Sequence, residues 1–236
     1  MKRIGKLFFL LAILATSVLS CIQEDPGPRQ QDQKSFSIVD FDRLEASEAL
    51  DITVQHGSIF SIEATGDSRN LNDLDIHKNG STLVMKFATQ HNRQYTTYIT
   101  ITTPSLLGFT FSGAVNGKVT GFVQETSRFD VSLSGASVAQ VDGNTDITYA
   151  QLAGSSQLRL SGNGNKIDAI VSGASTLSAF DFPVEEVNLV VTGASQAKVN
   201  TSQKLSASVS GASGVLYRGS PVVEADVTGA SSLGRD

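Results

Sequence analysis

The sequence predicts an all-β fold, namely a parallel β-solenoid with coils of about 19 residues and an atypical N-terminal β cap. The first observation is a small-residue block centred on Gly-Ala, repeated seven times at intervals of 18 to 22 residues. A regular period of this length is typical of stacked-coil architectures. The glycines of the seven blocks are Gly113, Gly135, Gly154, Gly173, Gly193, Gly211 and Gly229.

The second observation is the alternation of apolar and polar residues around each block. The residue two positions before the glycine is always apolar, as in Leu133, Val171 and Val191. Positions four and six after the glycine are mostly apolar and those between them mostly polar, which predicts strands with one buried face. A single coil cannot bury its apolar face, so neighbouring coils must stack.

The third observation is a second glycine eight residues after the first in several coils, as in Gly143 and Gly162. Glycine at a fixed offset fits a corner that needs a positive backbone angle. An antiparallel hairpin stack or a β-sandwich is the alternative fold, because turns at this spacing also suit one. Neither alternative requires the same residue type at the same offset in every repeat, so the pattern favours the solenoid.

Stacking in register places equivalent residues of successive coils directly above one another. The serine two residues after the glycine should therefore form a ladder along one edge of the rod. We expect this ladder to face water and to be the candidate binding surface for a glycan or an envelope protein, since many weak contacts add through multivalency. Its members are Ser137, Ser156, Ser175, Ser195 and Ser213.

The first 20 residues have the pattern of a signal peptide. Lys2, Arg3 and Lys6 precede an apolar stretch at 7–15 that is too short to span a bilayer. Cys21 follows in the order Val-Leu-Ser-Cys, which resembles a bacterial lipobox and predicts lipid attachment at Cys21. A lone thiol in an exported protein has no disulfide partner. An ordinary cleaved signal followed by a chance cysteine is the alternative.

The remaining chain divides into a tether and one domain. Residues 21–35 are rich in Pro, Gln and charge, and predict a lipid-bearing cysteine with a disordered tether. Residues 36–236 predict a single solenoid domain, with 36–111 as the cap and first coils and 112–236 as the Gly-Ala repeats. In the cap we predict a turn at 79–81, one helical turn within 67–74, and strands at 36–41, 50–55, 60–64, 82–87, 96–102 and 107–111.

The charge of the chain excludes two classes of ligand. Without the predicted signal peptide, the chain has 15 basic and 23 acidic residues, which gives a net charge of −8. Nucleic acid and anionic lipid headgroups both attract basic surfaces, so neither is an expected partner. The membrane contact that we expect is the lipid anchor itself. In well-studied bacterial lipoproteins an Asp after the cysteine retains the protein in the inner membrane, and here Ile22 occupies that position. By that resemblance we expect an outer-membrane lipoprotein of the bacterial envelope, either periplasmic or surface-exposed.

The sequence shows no recognisable catalytic or metal site, and no cofactor is predicted. The blocks lack the closing glycine of Gly-x-Ser-x-Gly, and no histidine follows His91. His56 and His77 are scattered. Residues 142–146 resemble the start of a calcium loop, but positions six and twelve are Ile147 and Ala153 where glycine and glutamate are needed.

Two other functional hypotheses stay open at this point. One is a carbohydrate-active lyase or hydrolase whose carboxylates converge on one sheet, for which the candidate residues are Arg159, Lys166, Asp168, Glu185 and Glu186. The other is an architectural rod that pairs with a second rod through its last coil, 222–233. The pattern does not fix the oligomeric state.

The chain after residue 35 is similar to the head GIN domain family. The resemblance lies in the repeated Ser-Gly-Ala-Ser blocks, the opening at 41–54, the segments 83–87 and 98–101, and Tyr-Arg-Gly-Ser-Pro at 217–221. Members of the family are exported bacterial proteins, often lipoproteins. The resemblance implies a right-handed parallel β-helix and an adhesin-like role. It carries over no catalytic residue.

Overall fold

A computed structural model describes residues 27–123 and 128–236 of the chain. The predicted signal peptide and the predicted lipid-attachment residue Cys21 lie outside the described residues. Among the residues described, no helix is long and apolar enough to cross a bilayer. The N-terminal elements are β1 Gln31–Phe36, β2 Arg43–Ala46, β3 Leu50–His56, β4 Ser61–Asp67, α1 Ser68–Asp73, β5 Leu74–Asn79, β6 Thr82–Phe87 and β7 Thr97–Thr103.

The repeats form the solenoid, with about six turns of roughly 19 residues. Its strands are β8 Gly108–Phe111, β9 Asn116–Val123, β10 Phe129–Leu133, β11 Val138–Leu152, β12 Gln157–Val171, β13 Thr176–Val191, β14 Gln196–Val209, β15 Gly214–Arg218, β16 Val222–Val227 and β17 Ser232–Arg235. Every pairing between successive coils is parallel, and equivalent residues stand opposite one another on both sides of the Gly-Ala corners, as Val138 opposite Gln157. The register shifts only near the second corner, at 142–143, 159–161 and 179–186. The predicted solenoid is confirmed, and the antiparallel alternative is wrong.

The strands form one continuous 17-stranded sheet that coils on itself, and we call its two stretches in each coil the first and the second sheet. The first sheet contains the residues that follow each Gly-Ala corner, such as 138–142 and 157–161. The second sheet contains those that precede the next corner, such as 147–152 and 166–171. Alternate side chains of both sheets point between them and form one aliphatic core, in which Leu177, Val199 and Val209 are completely buried.

The Gly-Ala corners are stacked through their backbones. The seven glycines have φ between 72° and 85°. The N–H of the residue after the glycine donates to the glycine carbonyl of the preceding coil, as from Ala194 to Gly173 at 2.7 Å. A Cβ on Gly193 would lie 2.5 Å from the Gly173 oxygen. Both the backbone angle and the close approach therefore require glycine.

One corner of this kind was not predicted from the sequence. Ser47, Glu48 and Ala49 join β2 to β3, which pair in parallel with β8 and β9. Glu48 has φ 70°, and its carbonyl accepts the N–H of Ala114 at 3.1 Å. The segment is a coil of the solenoid in which glutamate occupies the glycine position, at a cost of about 1–2 kcal/mol in backbone strain.

The cap closes the N-terminal end of the rod. β6 and β7 pair in parallel with β2 and β3, so a further coil lies beyond the Glu48 corner although it comes later in the chain. β4 then adds to β7, β1 adds to β4 and β5 adds to β6, all antiparallel. The result is a mixed N-terminal sheet whose outer strands differ in direction from the parallel coils.

A buried carboxylate fixes the entry of the chain into the cap. The Asp67 side chain is 1% exposed, accepts from the backbone N–H of Arg69 at the start of α1, and binds the Arg69 guanidinium at 2.7 Å. It also accepts the N–H of Gln30 at 2.9 Å. The bond from the Arg69 side chain, with these backbone bonds, holds the pKa of Asp67 far below its ordinary value despite burial. Asp67 therefore ties the segment before β1 to the first residues of α1.

The strand β1 corrects two predictions for the front of the domain. Residues 31–35 were expected in the disordered tether, but they form β1 along the edge of β4. An edge strand is held by its backbone bonds, so its exposed polar side chains gave no periodic signal. Residues 37–42 connect β1 to β2, so the predicted strand at 36–41 is wrong. The turn at 79–81 and the helical turn are confirmed.

Candidate functional site

The five serines predicted as a binding ladder do stack, but inside the molecule. Ser137, Ser156, Ser175 and Ser195 are completely buried, and Ser213 is 3% exposed. The prediction that they face water is therefore wrong. The exposed part of each corner is the Gly-Ala tip, one residue earlier, as at Gly173 and Ala174. These hydroxyls are not available to a glycan or a protein partner.

The buried serines satisfy the backbone of the corners. The hydroxyl of Ser175 accepts the N–H of Ser156 at 3.3 Å, and that of Ser195 accepts the N–H of Ser175 at 3.4 Å. The hydroxyl of Ser156 donates to the carbonyl of Ala153, three residues earlier, at 2.7 Å. Buried N–H and C=O groups are costly without partners, so a small hydroxyl at this offset stabilises the corner.

Ser175→Ala should therefore lower stability and leave partner binding unchanged. The N–H of Ser156 would lose its acceptor inside the rod, at a cost of about 1–2 kcal/mol in the free energy of unfolding. Thermal denaturation followed by circular dichroism measures the effect, with exposed Ser208→Ala as the matched control. Equal melting temperatures for the two variants would contradict the buried role.

The outward side chains that remain available include two rows on the second sheet, one residue per coil. Row one contains Arg43, Gly108, Asp130, Tyr149, Asp168, Asn188, Ser206 and Glu224. Row two contains Glu45, Thr110, Ser132, Gln151, Ile170, Val190, Ser208 and Asp226. Because the coils are in register, the rows run along the rod axis at intervals of about 4.8 Å. We call this surface the second-sheet face.

The C-terminal half of the second-sheet face carries a shallow aliphatic groove of about 490 Å³. Ile170 and Val190 pair in register and leave 40% and 42% of their surfaces exposed. Beside them in row one, the side-chain amide of Asn188 donates to Asp168 at 2.7 Å. Two neighbouring aliphatic side chains next to a row of fixed hydrogen-bonding groups are a combination typical of recognition surfaces.

The N-terminal end of the same face holds a smaller cavity of about 240 Å³, which we call the Gly108 notch. Gly108 lies in row one between Arg43 and Asp130 and contributes no side chain. Arg43 reaches across the gap to Asp130 at 3.1 Å, and Arg128 binds the same carboxylate from the other side. The Arg128 guanidinium also stacks on the Tyr149 ring, 4.5 Å from its centre.

The electrostatics of the notch keep Asp130 ionised. Burial acts to raise the pKa of Asp130, but its bonds to Arg128 and Arg43 outweigh burial and hold that pKa below the ordinary value. The Asp130 bond also raises the pKa of Arg128. The pKa of Asp67 is lowered mainly by its bond from Arg69. Burial acts to raise the pKa of Asp73, but hydrogen bonds from Thr89 and then from Arg93 outweigh burial and lower it. A general acid at neutral pH needs the opposite shift.

The structure separates the residues considered for carbohydrate chemistry. Arg159 lies on the first sheet and pairs with Asp181 at 2.7 Å, whereas Lys166 and Asp168 pair with each other at 3.2 Å on the second. Both pairs are partly exposed. Glu186 stands next to Lys166 in register. Three of the five candidates therefore take part in two surface ion pairs, Arg159 with Asp181 and Lys166 with Asp168, and the other two are the exposed glutamates Glu185 and Glu186.

The histidines and the calcium-like segment do not converge either. His77 contacts Asp75 at 3.0 Å, and His91 contacts Arg93 at 2.7 Å in the cap. Asp146 accepts a hydrogen bond from Asn165 of the next coil at 2.6 Å, so this segment is a polar corner of the rod. Residues 27–123 and 128–236 contain no group of three or more metal-ligating side chains.

The repeat pattern and the coil geometry agree with one protein family. Residues 40–221 match the family described as "Putative auto-transporter adhesin, head GIN domain". The chain belongs to the head GIN domain family. This match spans the Glu48 coil, the cap and most of the Gly-Ala repeats. None of the curated proteins matches the chain.

Solved structures share the fold of this head GIN domain at low sequence identity. A putative adhesin from Bacteroides fragilis has a TM-score of 0.77 at 16% identity, covering 89% of this chain and 98% of its own. A putative adhesin from Parabacteroides distasonis has a TM-score of 0.72 at 18% identity, covering 89% and 98%. One from Parabacteroides merdae has a TM-score of 0.66 at 21% identity, covering 88% and 96%. Identities this low establish the fold only.

Proposed function

We propose that this head GIN domain is a lipid-anchored, non-catalytic binding module of the bacterial cell envelope that holds its partner on the second-sheet face. The family description supports an adhesin-like role. The N-terminal sequence supports export, with Cys21 as the point of lipid attachment. An anchor at one end and an exposed face along a rigid rod suit a protein that presents a surface to a glycan or another envelope protein.

The observation that carries the proposal is the pair Ile170 and Val190. Each is an aliphatic side chain at an outward position, where the neighbouring coils carry Gln151 and Ser208. Isolated exposed apolar residues are common, but two in register create a continuous strip within the groove. Covering this strip removes apolar surface from water, and the Asp168–Asn188 row beside it supplies directional hydrogen bonds.

The first sheet provides the comparison surface. Its outward positions in the central coils are Gln157, Thr176 and Gln196 in one row and Arg159, Ser178 and Lys198 in the next. These side chains are polar or charged, and single surface ion pairs such as Arg159–Asp181 contribute little to affinity. The second of these rows ends with Leu216, which is 39% exposed but stands between Lys198 and Gly234 and has no aliphatic neighbour in register. A pair of aliphatic side chains in register is therefore what distinguishes the second-sheet face from the first.

Binding should be lost when the strip is charged. The double variant Ile170→Lys/Val190→Lys is expected to lower binding at least tenfold, because two buried ammonium groups would have to be desolvated at the interface. The matched control is Thr176→Lys/Gln196→Lys, which adds the same charges to adjacent coils on the first sheet. The measurement is a binding screen of residues 27–236 against immobilised glycans and purified envelope proteins.

Folding of both variants is checked by their melting temperatures. If the control loses binding and the strip variant keeps it, the partner binds the first sheet and the proposed face is wrong. If neither loses binding, recognition does not use the flat faces of the rod at all.

A further inference from the structure

We propose that the Gly108 notch is a subsite for one sugar residue of a neutral glycan. This inference rests on the proposed binding function, which it narrows to a ligand class. It concerns residues that the adhesin description does not assign. The notch lies on the second-sheet face, in the same two rows as the aliphatic groove, and Tyr149 lines both cavities.

The first argument is the shape of the notch. The backbone of Gly108 approaches Asp130 so closely that a Cβ on Gly108 would lie 2.3 Å from the Asp130 carbonyl oxygen. Glycine is therefore required, and the gap in row one is built into the stacking of β8 on β10. A volume of about 240 Å³ is smaller than the range for drug-sized ligands, about 300–1,000 Å³, and suits a single ring-sized group.

The second argument is the hydrogen-bonding capacity of the walls. Arg43 and Arg128 each use part of a five-donor guanidinium on Asp130, and their other N–H groups have no acceptor among the described residues. The hydroxyls of Thr110 and Ser132 and the carboxylate of Glu45 also line the notch without a hydrogen-bond partner in the described chain. The Gly108 notch is therefore lined by hydrogen-bond donors and acceptors that are available to a ligand.

The third argument is charge. Arg43 and Arg128 are balanced by Asp130 and Glu45, so the notch has no net formal charge. A site for a carboxylate or phosphate would need an excess of cations, which is absent here. A sugar ring offers hydroxyls that both donate and accept, and it needs no counter-charge. The neutral mixture of rigid donors and acceptors therefore matches a neutral sugar better than an ionic group.

The fourth argument is the orientation of the Arg128 guanidinium. Its side chain is 56% exposed, but the Asp130 carboxylate and the Tyr149 ring both contact its guanidinium and restrict the directions of its remaining donors. Tyr149 in turn accepts a hydrogen bond from Gln151 at 2.6 Å. Donors that are already oriented lose little side-chain entropy when a ligand binds, which favours affinity for a small group.

The test uses residues 27–236 on an array of immobilised neutral oligosaccharides and of oligosaccharides that contain uronic acids. We expect binding to neutral members, and titration with the best of these as a free ligand should show an affinity that changes less than twofold between 0.15 and 1 M NaCl. Binding confined to the acidic members, or lost at high salt, would overturn the neutral-sugar assignment. Absence of binding to any oligosaccharide would overturn it as well.

Two variants locate the ligand. Arg43→Ala should weaken binding about tenfold or more, whereas Arg159→Ala, which removes a similar arginine–aspartate pair from the first sheet, should change it less than twofold. Thr110→Trp fills the notch without removing an ion pair, and Gln140→Trp is its matched control on the first sheet. Unchanged binding in both Arg43→Ala and Thr110→Trp would overturn the notch as the site.

The strip variant separates this inference from the proposed function. If Ile170→Lys/Val190→Lys abolishes binding while the notch variants do not, the second-sheet face binds the partner but the notch holds no sugar. If the notch and strip variants all bind as the unaltered chain does, both proposals fail. Melting temperatures within about 3 °C of the unaltered protein show that a loss of binding is not a loss of folding.

Discussion

Gly193→Ala is expected to lower the melting temperature by about 6–12 °C. The corner at Gly193 has φ 81°, where an L-residue costs about 1–2 kcal/mol. Its new Cβ would also lie 2.5 Å from the carbonyl oxygen of Gly173, so the two coils would have to separate where they are hydrogen-bonded. Alanine also restricts the unfolded chain more than glycine does, which offsets about 0.4–1 kcal/mol of this destabilisation.

We expect a net loss of about 3 kcal/mol in the free energy of unfolding. In a domain of this size, each kcal/mol lowers the melting temperature by about 2–4 °C. Thermal denaturation followed by circular dichroism is the measurement. A solenoid can unfold in segments, so the midpoint is more informative here than an extrapolated free energy. An unchanged midpoint would show that the coils are less tightly stacked at their corners than the structure indicates.

The matched control, Glu48→Gly, is expected to change the melting temperature in the opposite direction. It places glycine at an equivalent corner of the described chain that lacks it, where φ is 70°. Relief of about 1–2 kcal/mol of strain exceeds the entropy that glycine adds to the unfolded chain, about 0.5–1 kcal/mol. The melting temperature should therefore rise by about 1–4 °C. A fall would indicate that the Glu48 side chain stabilises the cap.

Local sequence patterns are sufficient to predict the solenoid. The glycine and the apolar residue two positions before it recur at fixed offsets, and both are dictated by contacts between neighbouring coils. The Glu48 corner was not predicted because it lacks the glycine. Its only sequence signal is the weaker pattern Ala-Ser-x-Ala-Leu at 46–50.

The inward orientation of the serine ladder follows from the alternation in the sequence. Positions four and six after the glycine point inward, and alternation carried back to position two also points inward. Val115, which occupies that position in the first repeat, is apolar and 1% exposed. Ser137 and its equivalents are therefore buried because they lie on the same side of the strand as the residues at positions four and six.

The Gly108 notch could not be predicted from the sequence. Arg43 and Asp130 are 87 residues apart in the chain, and they meet only because β2 and β10 lie on either side of β8. This order depends on the excursion of the chain through β4, α1 and β5 before β8 begins. No repeat relates the cap to the coils strongly enough to reveal that path.

Cys21→Ser is expected to move the protein from the membrane fraction to the soluble fraction. Cys21 carries the only thiol of the chain, and serine keeps the size of the side chain but not its nucleophilicity. Each buried methylene contributes about 0.8 kcal/mol to membrane attachment, and stable anchoring needs more than one acyl chain. Loss of the thiol should remove the whole anchor.

The measurement is incorporation of a radiolabelled fatty acid together with partition into a detergent phase. Ser17→Ala is the matched control, because it alters the signal region while leaving the Val-Leu-Ser-Cys motif intact, and it should keep both the label and the membrane location. A chain that partitions into detergent equally well with serine at position 21 would be held by another contact, and Cys21 would then be a chance cysteine after an ordinary signal peptide. Loss of anchoring in the full-length Cys21→Ser chain, with its partner binding unchanged, would show that attachment by the N-terminal segment and recognition by the rod are separate functions.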